Sequence, residues 1–362
     1  MIRRVHMVEL GGQGGVFNHS VEVAARLQST GVDVVVHTAD DHDAAPDGLD
    51  ICECVSWYRD STSRFIRRSR TTMRYFARTL PHLARVIDAD DVVHIQGSMA
   101  LVPEVITVAK SRGATVVCSP HNTFVREDDF GIGRVLASIV RRADRVLVYS
   151  DADVEILADR VTHIGRVPLV QFTPPANPVL RDGWRRRFAG DGSRLAVMPG
   201  YLRRDKNIDI FVEAVAMMPG WRGAVVGEAN GLGEWLDGLI ERTRAPIATD
   251  YRYLSVDEFV ALVAAADVVA APYRVASQSG VLSVAARLGI PRAAAATGGL
   301  GELATAVAAE MTPAGLRDAM LAAFATGAAP IRFDDAAGTF LREYIVAHER
   351  HRSPAQTRRA DR

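Results

Sequence analysis

Three cations, Arg203, Arg204 and Lys206, stand just past an apolar run, Leu195 to Met198, and a Pro-Gly turn. Beyond them Ile208, Phe211, Val212 and Val215 recur at helical spacing. Strand, glycine turn, cations and helix start make a receiver for phosphate. The backbone N–H groups at a helix start are unpaired, the dipole end is positive, and the side chains add full charges. The competing reading is an ordinary solvated basic turn. A second glycine-rich turn, Gly11-Gly12-Gln13-Gly14-Gly15, follows an expected strand, Val5 to Leu10. Glycines between strand and helix let the backbone approach a ligand, because no Cβ intervenes. His121 lies just past a third apolar run, Ala114 to Ser119. That is the strand end at which α/β proteins bind ligands, although a lone histidine is more often structural.

These residues need a scaffold of alternating strands and helices. In the first half, strands are expected at Val5 to Leu10, Val34 to His37, Asp91 to Gln96, Ala114 to Ser119, Arg145 to Tyr149 and Val167 to Phe172. Helices are expected over Asn18 to Gln28, over Val102 to Ser111, and from Asp151 behind a Ser150 cap. Thr173-Pro174-Pro175-Ala176-Asn177-Pro178 reads as an irregular linker. The second half repeats the pattern, with strands at Leu195–Met198, Gly223–Val226, Pro246–Ala248, Asp267–Ala271 and Arg292–Ala296. Ser255-Val256-Asp257-Glu258 is a capping box for one of its helices. A strict G-x-G-x-x-G is not met, since Phe17 stands three after Gly14, and Asp40 is the one ribose-binding acid on offer. A nicotinamide dehydrogenase therefore ranks low.

Composition narrows the class. The 362 residues suggest about two domains. The 43 Lys+Arg balance the 43 Asp+Glu, which argues against general nucleic-acid binding. Cys52, Cys54 and Cys118 make no disulfide framework and fit a reducing cytoplasm. Cys52-Glu53-Cys54 reads as core or surface thiols, being too short and isolated for a zinc site. The amino terminus shows no signal-peptide pattern and no apolar run approaches membrane-span length. Segment 64–85 interleaves Arg64, Arg67, Arg68, Arg70, Arg74, Arg78 and Arg85 with Phe65, Ile66, Met73, Tyr75, Phe76 and Leu80. It reads as basic amphipathic helix: a solvated face, or a peripheral contact with the anionic inner face of a membrane.

The stretch Gly200-Tyr201-Leu202-Arg203…Lys206-Asn207 resembles the G-[YR]-[LI]-x-x-x-K-[GN] motif of retaining glycosyltransferases of family 4. The resemblance extends over almost the whole chain and is best from Arg194 to Leu303. It implies an α/β protein of GT-B fold, with two Rossmann-like domains facing across an inter-domain cleft. The acceptor-binding domain would be 1–175 and the donor-binding domain 176–330. A helix over 331–350 would cross back to the first domain, and 351–362 would be a disordered tail. It also implies hexosyl transfer, with retention, from a UDP- or GDP-linked sugar to an acceptor hydroxyl, with no cofactor and no metal. Arg203 and Lys206 would hold the donor diphosphate and His121 would lie near the donor sugar and the acceptor. Gly14, Gly15, Gly200, Gly227 and Glu228 would also face the donor. The family's E-x7-E is missing, because Ala276 and Val284 stand at its two acidic positions. Gln278-Ser279-Gly280-Val281-Leu282 matches a variant form, which would offer Gln278, Ser279, Gly280 and Val281 to the diphosphate at a helix N-terminus.

Three other readings stay open. A catalytically silent relative could bind nucleotide or a partner protein, a reading the missing acidic pair supports. An epimerase of nucleotide sugars could share the architecture. A metal-dependent transferase would need a D-x-D at a strand end, whereas Asp88-Ala89-Asp90 precedes a strand and Asp151-Ala152-Asp153 starts a helix.

Overall fold

The computed structural model describes residues 2–58, 63–97, 99, 101–123, 132–190 and 192–353. The chain forms two compact units, Met1–Phe172 with Phe333–Arg362, and Thr173–Arg332.

The first unit runs β1 (Val5–Glu9), α1 (Gly14–Ser29), β2 (Val34–Ala39), β3 (Asp50–Val55), α2 (Arg64–Arg74), a π-helical turn (Tyr75–Thr79), α3 (Leu80–Val86), β4 (Val92–Gln96), α4 (Val102–Ser111), β5 (Thr115–Ser119), α5 (Ile132–Arg142), β6 (Arg145–Val148), α6 (Asp151–Ala158) and β7 (Ile164–Arg166). Its seven strands pair in the order β3-β2-β1-β4-β5-β6-β7, all parallel. β1, β2, β4 and β5 are buried at every residue, as strands covered on both faces must be, and they are rich in valine for the same reason. β3, at the edge, is half-exposed.

The second unit runs α7 (Pro178–Ala189), β8 (Arg194–Pro199), a 3₁₀ turn (Arg204–Lys206), α8 (Ile208–Ala216), β9 (Trp221–Val226), α9 (Gly233–Thr243), β10 (Ile247–Asp250), α10 (Val256–Ala264), β11 (Val268–Ala271), α11 (Gly280–Leu288), β12 (Arg292–Ala294), α12 (Leu300–Leu303), β13 (Ala306–Val307) and α13 (Pro313–Thr326). Its sheet order is β10-β9-β8-β11-β12-β13, again parallel. The capping box at Ser255 and Glu258 starts α10. The last helix, α14 (Ala336–Arg352), packs in the first unit. There Phe340 and Tyr344 join the core of β1, β4 and α1, and Glu343 pairs with Arg145 at 2.6 Å.

Two expectations are corrected. Val167 to Phe172 is not a strand but buried irregular chain, with Leu169 and Val170 in the core. Pro168 has no N–H to give a ladder there. The first helix starts at Gly14 rather than near Asn18, so Gly14 and Gly15 belong to its first turn. The tail at 354–362 lies outside the described residues. Among the described residues no helix is long and apolar enough to cross a membrane.

Candidate functional site

In the second unit the cationic turn is built by backbones that meet. Past the end of β8 the Gly200 amide donates to Val226 O at 2.8 Å, and the Leu202 amide to Glu228 O at 2.9 Å. A Cβ on Gly227, whose φ is +146°, would stand 2.3 Å from Gly200 O, so this approach requires glycine. The chain then makes its 3₁₀ turn and enters α8 through Asn207, in the left-handed region at φ +50°. Asn207 Nδ2 donates to Pro272 O at 2.8 Å, and the Arg274 amide to Asp205 O at 2.8 Å. The turn is thereby tied to the segment after β11.

That frame points Lys206 inward. The residue is 6% exposed. Its Nζ lies 5.0 Å from the centre of the Tyr273 ring and 3.4 Å from where a Gly200 Cβ would be; Val281 Cγ2 lies 3.8 Å from the same point. The ammonium therefore sits beside Gly200, an aromatic face and the start of α11. Ser279 caps α11, accepting the Leu282 amide at 3.3 Å. The first-turn amides of Gly280 and Val281 have no acceptor inside the helix. Gln278 is half-buried in the loop just before that cap. Burial pushes the Tyr273 hydroxyl up to about 12, so it stays protonated.

Arg203 behaves differently. Its side chain is 36% exposed and forms a two-pronged ion pair with Asp205, at 2.9 and 3.2 Å. The Glu228 side chain is exposed; its contribution to this frame is the carbonyl that holds Leu202. Ala276 and Val284 are buried apolar residues, so no carboxylate stands at either position.

In the first unit the glycine turn is filled by the chain's own carboxylates. Glu9 accepts the Gly11 amide at 2.9 Å and the Gly12 amide at 2.7 Å. Asp43 accepts the Gly14 amide at 2.8 Å. A Cβ on Gly15 would meet nothing within 4 Å, so open space lies beside it.

His121 is held by a directional relay. His19 Nδ1 lies 2.7 Å from Val170 O, and a carbonyl only accepts, so the proton is on Nδ1. Burial lowers His19 to about 4, which leaves Nε2 of the neutral ring to accept from the Tyr149 hydroxyl at 3.1 Å. His121 Nε2, 2.7 Å from Gln96 Oε1 and 3.0 Å from Tyr149 Oη, then carries its own proton. The lone pair of the neutral ring falls on Nδ1. Desolvation, reinforced by His19 and His94, holds His121 well below the usual imidazole range. His121 has a left-handed φ of +62°, the mark of a backbone held by its surroundings. His94, inside β4, bonds Tyr344 Oη at 2.7 Å and Ser119 Oγ at 2.8 Å and is wholly buried.

Sequence reasoning missed Tyr273, Asp205, Tyr149, His19 and Gln96. Tyr149 and Tyr273 close or follow strands, which is a signal. Nothing local in sequence pairs His19 with Tyr149.

A family model for Glycosyltransferase Family 4 matches residues 13–169. No curated protein matches the chain. Among solved structures, that of Anabaena HepE in complex with UDP-glucose is similar with a TM-score of 0.65 at 14% identity, covering 98% of this chain and 99% of that one. WaaG, a glycosyltransferase involved in lipopolysaccharide biosynthesis, is similar with a TM-score of 0.63 at 16% identity, covering 96% of this chain and 95% of that one. The catalytic domain of starch synthase IV from Arabidopsis thaliana, bound to ADP and acarbose, gives 0.70 at 11% identity, over 97% of this chain and 99% of that one. Residues 13–169 are thus similar to glycosyltransferase family 4, and the chain as a whole carries the GT-B fold.

Proposed function

We propose that the protein is a retaining hexosyltransferase, moving a sugar from a UDP- or GDP-linked donor to an acceptor hydroxyl. The observation that carries this reading is the Lys206 ammonium, buried beside Gly200, Tyr273 and the start of α11. A cation and a helix start side by side attract an anion. Beside a helix N-terminus that anion is well matched by a diphosphate. Negative charge grows on the diphosphate as the glycosidic bond breaks, so donors placed there lower the barrier.

In this reading the second unit binds the donor. Lys206 Nζ and the Gly280 and Val281 amides take the diphosphate oxygens, and Gly200 and Gly227 keep the backbone clear of it. Gln278, Ser279 and Glu228 line the same strand ends. Arg203 joins by exchanging Asp205 for phosphate. The first unit takes the acceptor, with His121 Nδ1 accepting a hydrogen bond from a sugar hydroxyl and Gly14 and Gly15 beside it. The acceptor oxygen attacks the anomeric carbon on the face the diphosphate leaves, and its proton passes to the departing phosphate oxygen. This requires no protein nucleophile and no divalent metal. The bound UDP-glucose of HepE supports a uridine donor. A thermal-shift series of UDP, GDP, ADP and dTDP with their sugars tests the reading. One nucleoside diphosphate should raise the melting midpoint by mass action, and a series with no shift would contradict it.

A silent, nucleotide-binding relative is the second reading. Its support is the pair of buried apolar residues, Ala276 and Val284, where the family's two acids would stand, the second of them the one that bonds the donor ribose. Binding of UDP or GDP without turnover of any sugar donor would favour it.

The reading also includes a peripheral membrane contact through segment 64–85. α2 carries Phe65 at 80% exposure and Met73 at 69%, among Arg67, Arg68 and Arg70. Solvent-facing aromatic and aliphatic side chains between arginines match an anionic lipid surface.

A further inference from the structure

A second set of chemically active side chains lies in the first unit, on the β2–β3 edge, among residues the transfer reading does not use. The parallel pairing puts His37 of β2 beside Cys52 of β3. Residues two apart on a strand share a face, so Cys54 joins Cys52. One ligating atom from each of His37, Cys52 and Cys54 lies within 4.8 Å of the others. His82 of α3 closes in from above the sheet, its Nε2 3.2 Å from Cys52 Sγ and its ring 5.6 Å from that of His37.

The protons around His37 are arranged for a ligand. Asp91 is paired with Arg3 at 2.8 and 2.9 Å and accepts from His6 Nε2 at 3.1 Å. His6 Nδ1 therefore accepts, and His37 Nε2, 2.9 Å away, must donate to it. The lone pair of His37 falls on Nδ1. That atom is buried, in a residue 2% exposed; among the described residues no nitrogen or oxygen bonds it, and the His37 ring faces the Cys52 thiol. A buried imidazole lone pair grouped with two thiols is a set of ligand atoms that one bound cation would satisfy together.

We propose that His37 Nδ1, Cys52 Sγ, Cys54 Sγ and His82 Nε2 bind one zinc ion. Two thiolates and two imidazoles are the donor set of a closed, four-coordinate structural zinc site. With Zn–S near ~2.3 Å and Zn–N near ~2.0 Å, tetrahedral ligand atoms stand roughly 3.3–3.8 Å apart. The three atoms within 4.8 Å close by side-chain shifts to reach that spacing, and His82, already 3.2 Å from Cys52 Sγ, must move in to join them as the fourth ligand. The Asp91–His6–His37 chain is the kind of outer support that fixes the tautomer of a metal-bound imidazole. Cys52, Cys54 and His82 are half-buried, which leaves an entry path. The ion fastens edge strand β3 to β2 and α3, and four protein ligands leave it no open position for the transfer chemistry.

The test is metal analysis of the full-length chain, freed of any histidine tag, followed by chelation and titration with Zn2+ and Co2+. The expected result is about one zinc per chain, with a thiolate-to-cobalt charge-transfer band in the Co2+ form. Cys52→Ser and Cys54→Ser should each weaken binding at least about tenfold and remove part of that band, and His82→Ala should weaken it about tenfold to a hundredfold. If a serine variant fails to fold, the wild-type spectrum and His82→Ala decide. A chelated wild-type chain that takes up no zinc at micromolar concentration would overturn the proposal. So would a Co2+ spectrum without sulfur ligation, or zinc affinity unchanged in His82→Ala and the serine variants.

Discussion

At the scale of single residues, the turn after β8 separates two cations that look alike in sequence. Lys206 is buried and Arg203 is half-exposed with Asp205 as its counter-ion. A half-exposed ion pair adds little stability, about 0–1 kcal/mol. Arg203→Ala should therefore leave the melting midpoint within a degree or two while lowering kcat. An Arg203→Ala enzyme with wild-type kcat would remove Arg203 from the diphosphate site. Gly227 answers to backbone geometry alone. Its φ of +146° and the 2.3 Å approach to Gly200 O make Gly227→Ala a strained and clashing change. Positive-φ strain of this kind costs about 1–3 kcal/mol before the clash is added. Denaturant titration should show Gly227→Ala clearly less stable than wild type, and an equal midpoint would contradict the described turn.

At the scale of elements, the arginine-rich segment begins with α2, whose Ser63 cap accepts the Ile66 amide at 3.4 Å. It passes through the π-helical turn at Tyr75–Thr79 into α3. Tyr75 is buried while Phe65, Met73 and Phe76 face solvent. Co-sedimentation should show the wild-type chain on vesicles containing anionic lipid and not on zwitterionic ones. Phe65→Ser with Phe76→Ser should lower the bound fraction severalfold, and equal binding by the double variant would contradict a membrane role for this face. Legibility in the sequence also varied by element. Buried parallel strands such as Val92–Gln96 and Thr115–Ser119 announce themselves as apolar runs. β3 does not, because an edge strand with Cys52, Glu53 and Cys54 lacks that pattern. Missing β3 hid the pairing of Cys52 with His37, so the thiols looked isolated. α5, α7 and α13 were also missed. α7 begins at Pro178, where the proline-rich run reads as linker although Asn177 caps a helix through the Val179 amide at 2.9 Å. Turn chemistry around Lys206 was legible because motif and backbone coincide. The His19–Tyr149–His121 relay was not, because its parts come from α1, β4, the end of β6 and the loop after β5.

At the scale of the whole molecule, buried histidines couple the fold to pH. Burial lowers His19 to about 4 and His94 to about 3, against 6.5 for a free ring. In the unfolded chain both rings take protons as pH falls below 6.5, while the folded protein refuses them. Stability is therefore full above about pH 7. It falls by up to about 1.4 kcal/mol per pH unit for each ring as pH drops toward the folded values, and these two contributions level off below them. Urea midpoints should be flat from pH 7 to 8 and fall steadily from pH 6.5 to 4.5, and a midpoint that rises on acidification would contradict the buried neutral network. The central claim concerns chemistry in the second unit, and Lys206 carries it. The most direct measurement is the rate of nucleoside diphosphate release from the matched sugar donor, with acceptor present, in wild type and in Lys206→Met, which keeps the buried stem and removes the charge. The account predicts a loss of about a hundredfold in kcat, the size typical of one lost donor to developing charge, with the fold retained. A Lys206→Met enzyme that turns over within about twofold of wild type would contradict it.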